Sequence, residues 1–160
     1  YDKNGKANAM NAAWCGIIDY GQIYVSLSEH KTTENLRETN AFTLAFATKK
    51  TEIISDYFGV VSGNKEDKIS KAGVHITKSN VVNAPIIEEY PLVLECEVAS
   101  FDDGTLIGNV LNVSIDEEYL DTNGNIDIDK MELISFDMIS NTYREIGKVI
   151  GNAFKDGFNI

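Results

Sequence analysis

Two eleven-residue runs of alternating character, PLVLECEVASF (91–101) and TLIGNVLNVSI (105–115), flank Asp102-Asp103-Gly104. Alternation with a period of two marks strands with one buried face, and a short Gly-ended link between two such runs predicts an antiparallel hairpin. A hairpin cannot bury its apolar face alone, so this one needs further strands or helices against it.

The rest of the chain offers both. ANAMNAAW (7–14), QIYVSLS (22–28) and AFTLAFA (41–47) read as strands, with shorter candidates at Val74–Ser79, Leu133–Phe136 and Tyr143–Ile146. HKTTENLRETN (30–40) reads as a helix capped by Thr32 or Thr33 and ended by Asn40. TEIISDYFGVVSG (51–63) carries Ile53, Ile54, Phe58 and Val61 at helical spacing and stops at Gly63, and KEDKISKAG (65–73) reads as a short helical turn. Residues 1–6 hold the turn dipeptide Asn4-Gly5, and the chain closes on a tail rich in Gly and Phe. Long strands joined by hairpins, with short helices between, favour a mainly β antiparallel barrel or sandwich over a parallel sheet. With no repeat and no low-complexity linker, 160 residues read as one domain.

Charge narrows the partners. Fourteen Lys and Arg against 25 Asp and Glu leave a net charge of −11, a field that repels phosphate. This argues against nucleic acid or an anionic membrane as a partner, while a local basic site can still take one small anion. Cys15 and Cys96 are too few for a disulfide framework or a zinc site and read as free thiols of a cytoplasmic protein. His30 and His75 lack metal spacing, and no GxGxxG, Walker A or GxSxG motif occurs. DTNGNIDIDKME (121–132) spaces oxygens like a calcium loop, yet Ile126 stands where that loop needs Gly, so it reads as a polar turn.

One stretch concentrates donors. A strand running into the helix at Thr32–Glu34 presents backbone N–H groups at the positive end of the helix, beside two hydroxyls and Lys31. Such a place suits a phosphate, although a Thr pair before a helix more often only caps it.

NAMNAAW (8–14), HKTTEN (30–35), SGNKEDK (62–68), APIIEEYPLVLEC (84–96), GNVLNV (108–113) and YREIGKVIGNAFKDG (143–157) follow in an order that resembles the flavin reductase-like family, whose flavoredoxin branch carries electrons. The resemblance implies an FMN-binding, Greek-key split β-barrel that works as a homodimer with the flavin near the subunit interface. It lays Asn8, Ala9, Met10, Asn11, Ala12, Ala13 and Trp14 along the isoalloxazine ring. Lys31, Thr32 and Thr33 then hold the phosphate and Ser28 reaches the ribityl chain. Ser62, Gly63, Lys65 and Lys68 form a second contact, with Lys68 favoured. Phe136 or Tyr143 is the late aromatic near the flavin. The plainer alternatives are a half-buried core aromatic for Trp14, solvated charge for Lys65 and Lys68, and a small apolar filler for Cys15. No residue is assigned as a catalytic acid or base, because the cofactor does the redox chemistry. Asp56 and Glu95 read as surface or capping groups.

The implied function is an FMN-dependent oxidoreductase that moves electrons from NAD(P)H to a small or protein acceptor. The alternatives are a flavoredoxin-like carrier without nicotinamide turnover and a non-catalytic β-barrel that holds a small ligand. Two departures stand out. Leu106 and Ile107 occupy a place where some relatives have His. The family normally has a strand and its lead-in before NAMNAAW, and here only Tyr1–Lys6 precede it. The expectation is therefore a single domain over 1–160 without its N-terminal strand, preceded in the natural protein by further residues.

Overall fold

The computed structural model describes residues 1–160. In chain order the elements are β1 (Cys15–Asp19), β2 (Gln22–Ser26), α1 (Lys31–Thr39), β3 (Ala41–Ala45), α2 (Glu52–Val60), α3 (Lys68–Ala72), β4 (Ile76–Lys78), β5 (Pro85–Ile87), β6 (Leu92–Asp102), β7 (Thr105–Ile115), α4 (Ile128–Met131), β8 (Ile134–Asp137) and β9 (Thr142–Glu145).

The expected central hairpin forms as β6 and β7, and strands assemble on either side of it in the antiparallel order β1-β2-β7-β6-β3. Asp103 and Gly104 both take positive φ, 45° and 77°, the backbone of a tight turn whose twist matches that of the strands. Leu27 donates to the Gly104 carbonyl at 2.7 Å and ties the turn to the end of β2. Two register shifts bend the hairpin: Leu111 stands unpaired between Asn112 and Val110, and Ala99 between Val98 and Ser100. Bulges of this kind curl a sheet, and here they turn it toward a barrel. β4 with β5 and β8 with β9 form separate two-stranded ribbons.

The core divides among the helices. Leu36 of α1 packs with Val25 and Leu106 of the sheet. Phe58 of α2 and Ile69 of α3 meet Val93 and Tyr90. Tyr119, Met131 and Leu133 close against Leu92. β3 differs from the other long-sheet strands in that every residue from Ala41 to Ala45 is only half-buried, because its inner face borders a cavity.

Residues 7–14 are not a strand; they run irregularly past the cavity, and the first strand begins only at Cys15. The side chains of Asn8 and Asn11 explain the difference, since each bonds out to a different segment, Asn8 to Thr32 and Asn11 to Tyr143. β1 escaped the alternation test because Ile17 and Ile18 are both exposed. The polar turn at 121–132 closes on itself: Asp121 accepts from the N–H groups of Asn123 and Asn125, and Asp127 caps α4. No helix is long and apolar enough to cross a membrane.

Candidate functional site

A cavity of about 390 Å³ lies between β3, the 8–13 segment, α1 and the β8–β9 ribbon. That volume falls in the range of small-molecule sites. Phe42, Leu44 and Phe46 line one side, and Asn8, Ala9, Met10, Asn11, Ala12 and Ala13 line another. The three alanines keep side-chain bulk low along the second wall, so a flat ligand can approach the backbone.

One end gathers donors. Asn8 Nδ2 donates to Thr32 Oγ1 at 2.8 Å, and Thr32 itself lines the cavity. Gly63 completes the meeting point: a Cβ there would stand 2.1 Å from Asn8 Oδ1 and 3.3 Å from Lys31 Cβ. Glycine at 63 is therefore what lets the 8–13 segment, α1 and the loop after α2 converge. Lys31 Nζ lies 3.4 Å from Glu34 Oε2, and Asn64 Nδ2 donates to Glu34 Oε1 at 3.2 Å. An arriving anion competes with that carboxylate for Lys31. Lys31, expected as a phosphate ligand, is not among the residues that line the cavity; Thr32 is the hydroxyl that reaches it from the start of α1, with the Lys31–Glu34 pair beside it.

The other end is a clasp. The Tyr143 hydroxyl donates to Asp56 Oδ1 at 2.8 Å and accepts from Asn11 Nδ2 at 3.2 Å. Tyr143 pairs in register with Phe136, their rings 5.9 Å apart, and both line the cavity. Both candidates for the late aromatic, Phe136 on β8 and Tyr143 on β9, thus line the cavity. Burial first, and then the bond to Asp56, push the Tyr143 phenol up to about 12, so it keeps its proton at neutral pH. Asp56, expected as a surface or capping group, instead anchors this clasp.

Several residues expected at the site have other work. Thr33 is fully buried, and its hydroxyl accepts from the His30 N–H at 2.9 Å and donates to the His30 carbonyl at 2.7 Å. The adjacent threonines thus split, Thr33 capping α1 and Thr32 facing the cavity. Trp14 is 52% exposed and outside the cavity lining; its carbonyl accepts from the Ser26 N–H at 2.8 Å. Ser28, Ser62 and Lys65 are exposed and also lie off the lining, with Ser62 Oγ turned to the Asn64 N–H at 3.3 Å. Lys68 is buried and gives its ammonium to the Phe58 carbonyl at 2.8 Å, satisfying one of the last carbonyls of α2. Burial lowers its pKa below the usual lysine value.

Sequence reasoning missed two further residues. Asn35 lies on the cavity wall, 5% exposed, and its Oδ1 has no donor. Its one signal was a poor helix former three positions after Thr32, on the same face of α1. Glu95, expected at the surface, is 2% exposed. It accepts from Ser114 Oγ and Asn112 Nδ2, each at 2.6 Å, and from the Ser79 hydroxyl. Burial alone would raise this carboxyl, but the three donors outweigh it and hold the group below the usual carboxylate range. Ser79 Oγ also accepts from the Val81 and Val82 N–H groups, at 2.9 Å each, and so pins the loop that leads to Ala84 and Pro85 on the cavity. Cys15 lines the cavity with its pKa raised by burial, while Cys96 is wholly buried and pushed up to about 12 by burial.

Comparison with known proteins gives the site its context. The flavin reductase like domain matches residues 2–129. The flavoredoxin of Desulfovibrio vulgaris (Miyazaki F) is 31% identical, covers 98% of this chain and 88% of its own, and superposes with a TM-score of 0.93. The flavoredoxin of Methanosarcina acetivorans is 29% identical over 99% of this chain and 87% of its own, with a TM-score of 0.89. An FMN-binding domain of a flavin reductases-like enzyme from Shewanella baltica OS155 shares the fold at 18% identity, over 91% of this chain and 82% of its own, with a TM-score of 0.80. The fold is the flavin reductase-like split barrel, and these matches support FMN as the cofactor. The residues present fit such a group. They offer low walls for a flat ring, and an end where Thr32 and the start of α1 face the cavity and Asn8 is held against Thr32 in a space that a Cβ at 63 would take from it.

Proposed function

The chain belongs to the flavin reductase-like family, and on that premise we propose that it is an FMN-binding oxidoreductase passing electrons from NADH or NADPH to a small or protein acceptor. The observation that carries the reading is a cavity with a low-walled backbone segment on one side and Thr32 with the start of α1 at one end, Lys31 standing next to it. FMN, when bound, supplies reversible one- and two-electron chemistry. Asn8 to Ala13 orient the ring through backbone N–H and C=O groups. Thr32, Lys31 and the start of α1 hold the phosphate, with Asn8 and Gly63 shaping the space around it. Phe136 and Tyr143 exclude water from the far end, and the Tyr143 hydroxyl stays protonated.

The two flavoredoxin matches favour a second reading, an electron carrier that exchanges with a protein and does not turn over nicotinamide. A net charge of −11 suits docking to a basic partner. Anaerobic addition of NADH or NADPH to FMN-loaded protein separates the two. Rapid bleaching of the flavin band is the outcome expected of a reductase. Bleaching by dithionite alone leaves the carrier. Failure to take up FMN at all favours a barrel that holds some other small ligand.

A homodimer belongs to the same proposal. Ile17 on β1, Trp14 and Tyr20 on either side of it, and Ile150, Phe154 and Phe158 in the tail are exposed in a single chain. Apolar surface on this scale marks an interaction site, and a second copy is the occupant the family resemblance implies. Light scattering at micromolar concentration is expected to give twice the 17.7 kDa subunit mass; the mass of one subunit contradicts it.

A further inference from the structure

Glu95 is the only carboxylate among the buried residues. Burying a charge is costly, and an apolar side chain of similar volume often serves stability as well or better. What an apolar side chain cannot do is accept hydrogen bonds, and the two oxygens of Glu95 accept from different sides. Oε1 takes Asn112 Nδ2 and Ser114 Oγ, both from β7, at 2.6 Å each. Oε2 takes the hydroxyl of Ser79, in the loop 79–84 that joins β4 to β5. Ser79 depends on that oxygen. Its own Oγ already accepts from the Val81 and Val82 N–H groups, which fill its two lone pairs, so its hydroxyl can only donate.

A second fastener stands beside the first. Thr43 of β3 lies directly opposite Glu95 of β6, so the two side chains share one face of the sheet. Thr43 Oγ1 donates to the Pro85 carbonyl at 2.6 Å. Between the two fasteners the loop closes on itself, the Ser79 N–H donating to the Ala84 carbonyl at 3.0 Å. Ala84 and Pro85 line the cavity, whereas Glu95 and Ser79 do not. The base of this β4–β5 arm is held differently, by Ile86 and Ile87 packed against the cluster of Tyr90 and Val93. Apolar contact is non-directional and holds a segment near the core; hydrogen bonds to a charged group also fix where its atoms stand.

Resting on the FMN reading, we infer that Glu95 is a positioning residue for the cavity: acting through Ser79, and together with Thr43, it sets where the Ala84–Pro85 wall stands and so how tightly the cavity grips its ligand. The two sides of the carboxylate then do different work. The Ser79 side ties the arm to the sheet, and the Ser114 side holds the carboxylate within the sheet. Removing the Ser79 hydroxyl frees the wall, while removing the Ser114 hydroxyl takes a bond of the same kind from Glu95 and leaves the wall tied.

The test sets Ser79→Ala against Ser114→Ala. Three quantities are measured on each and on the wild type: FMN affinity by fluorescence titration, the visible circular dichroism of bound FMN, and the melting temperature of the ligand-free protein. Both variants are expected to melt lower than the wild type. Ser79→Ala is expected to weaken FMN by about 10-fold or more and to change the dichroism of the bound flavin. Ser114→Ala is expected to keep the wild-type dichroism and an affinity within about 2-fold. Thr43→Val should reproduce Ser79→Ala, and Thr43→Ser, which keeps the hydroxyl, should restore binding; this pair carries the comparison if Ser79→Ala does not fold. Equal losses of affinity in Ser79→Ala and Ser114→Ala would mark Glu95 as structural and overturn the inference. Wild-type affinity and dichroism in Ser79→Ala would overturn it while leaving the FMN reading intact. A wild type that takes up no FMN overturns both.

Discussion

The two ends of the cavity are built on different plans. At the anion end Lys31 and Thr32 are neighbours in sequence at the start of α1, and Asn8 and Gly63 are drawn to them. At the clasp end a single phenol joins residues 11, 56 and 143, from an irregular segment, a helix and a late ribbon. The anion end sets Thr32 and the start of α1 on the cavity, with Lys31 beside them paired to Glu34, whereas the clasp end joins three separate segments through one phenol. The first is built to take a ligand, the second to fix the wall around it. Substitutions at the first should therefore change binding with little change in stability, and substitutions at the second the reverse.

The sharpest way to break this comparison is Gly63→Ala. Its added methyl falls where Asn8 Oδ1 now stands, 2.1 Å away, so Asn8 must leave Thr32 or the loop must retreat. The expected result is a loss of FMN affinity of about 100-fold, measured by fluorescence titration, with the far-UV spectrum unchanged. Unaltered affinity would show that Asn8, Lys31 and Gly63 do not shape the anion end.

Glu95 gives the next effect in size, on stability. Its three donors hold its folded pKa below the ordinary value, so the stabilisation is present above a pH of about 4.3. It is lost as pH falls through the lower folded pKa. Glu95→Gln should cost about 1–3 kcal/mol at neutral pH and flatten the acid limb of a denaturation series. An acid limb as steep as that of the wild type would assign the pH dependence elsewhere.

The adjacent threonines sharpen the contrast within one turn of helix. Thr33→Val should cost about 1 kcal/mol of stability through the lost cap and leave FMN affinity alone. Thr32→Val should weaken FMN by about 10-fold and leave the melting temperature alone. Equal effects of the two would remove the distinction between cap and ligand. Tyr143→Phe should be the mildest, costing about 0.5–1.5 kcal/mol of stability with FMN affinity kept within about 3-fold. A larger loss of binding than of stability would move Tyr143 from the wall to the ligand.

The same difference in plan decided what the sequence made legible. Period-two alternation gave the β6–β7 hairpin directly, because one face of each strand packs and the other does not. It failed on β1, whose Ile17 and Ile18 are both exposed, and on 7–14, where small residues mimic a strand but side chains pull the backbone off register. Thr32 on the cavity could be read from a helix start; Thr33 could not be separated from it, because the two differ only in which way each hydroxyl turns, and the Lys31–Glu34 pair beside the lining left no signal of its own. Tyr143 was legible only as one of two late aromatics, and the work of Asp56 and Glu95 was illegible for a simpler reason. A carboxylate declares its work through its partners, and these partners lie between 16 and 87 residues away in the chain.

The central claim is that the cavity holds one FMN. The visible absorption spectrum of purified protein, recorded before and after addition of equimolar FMN and desalting, tests it most directly. A flavin band retained at about one per chain, lost in Gly63→Ala, is the result the account predicts. A wild-type chain that passes the desalting column without a flavin band, and shows no rise in melting temperature with excess FMN, would contradict it.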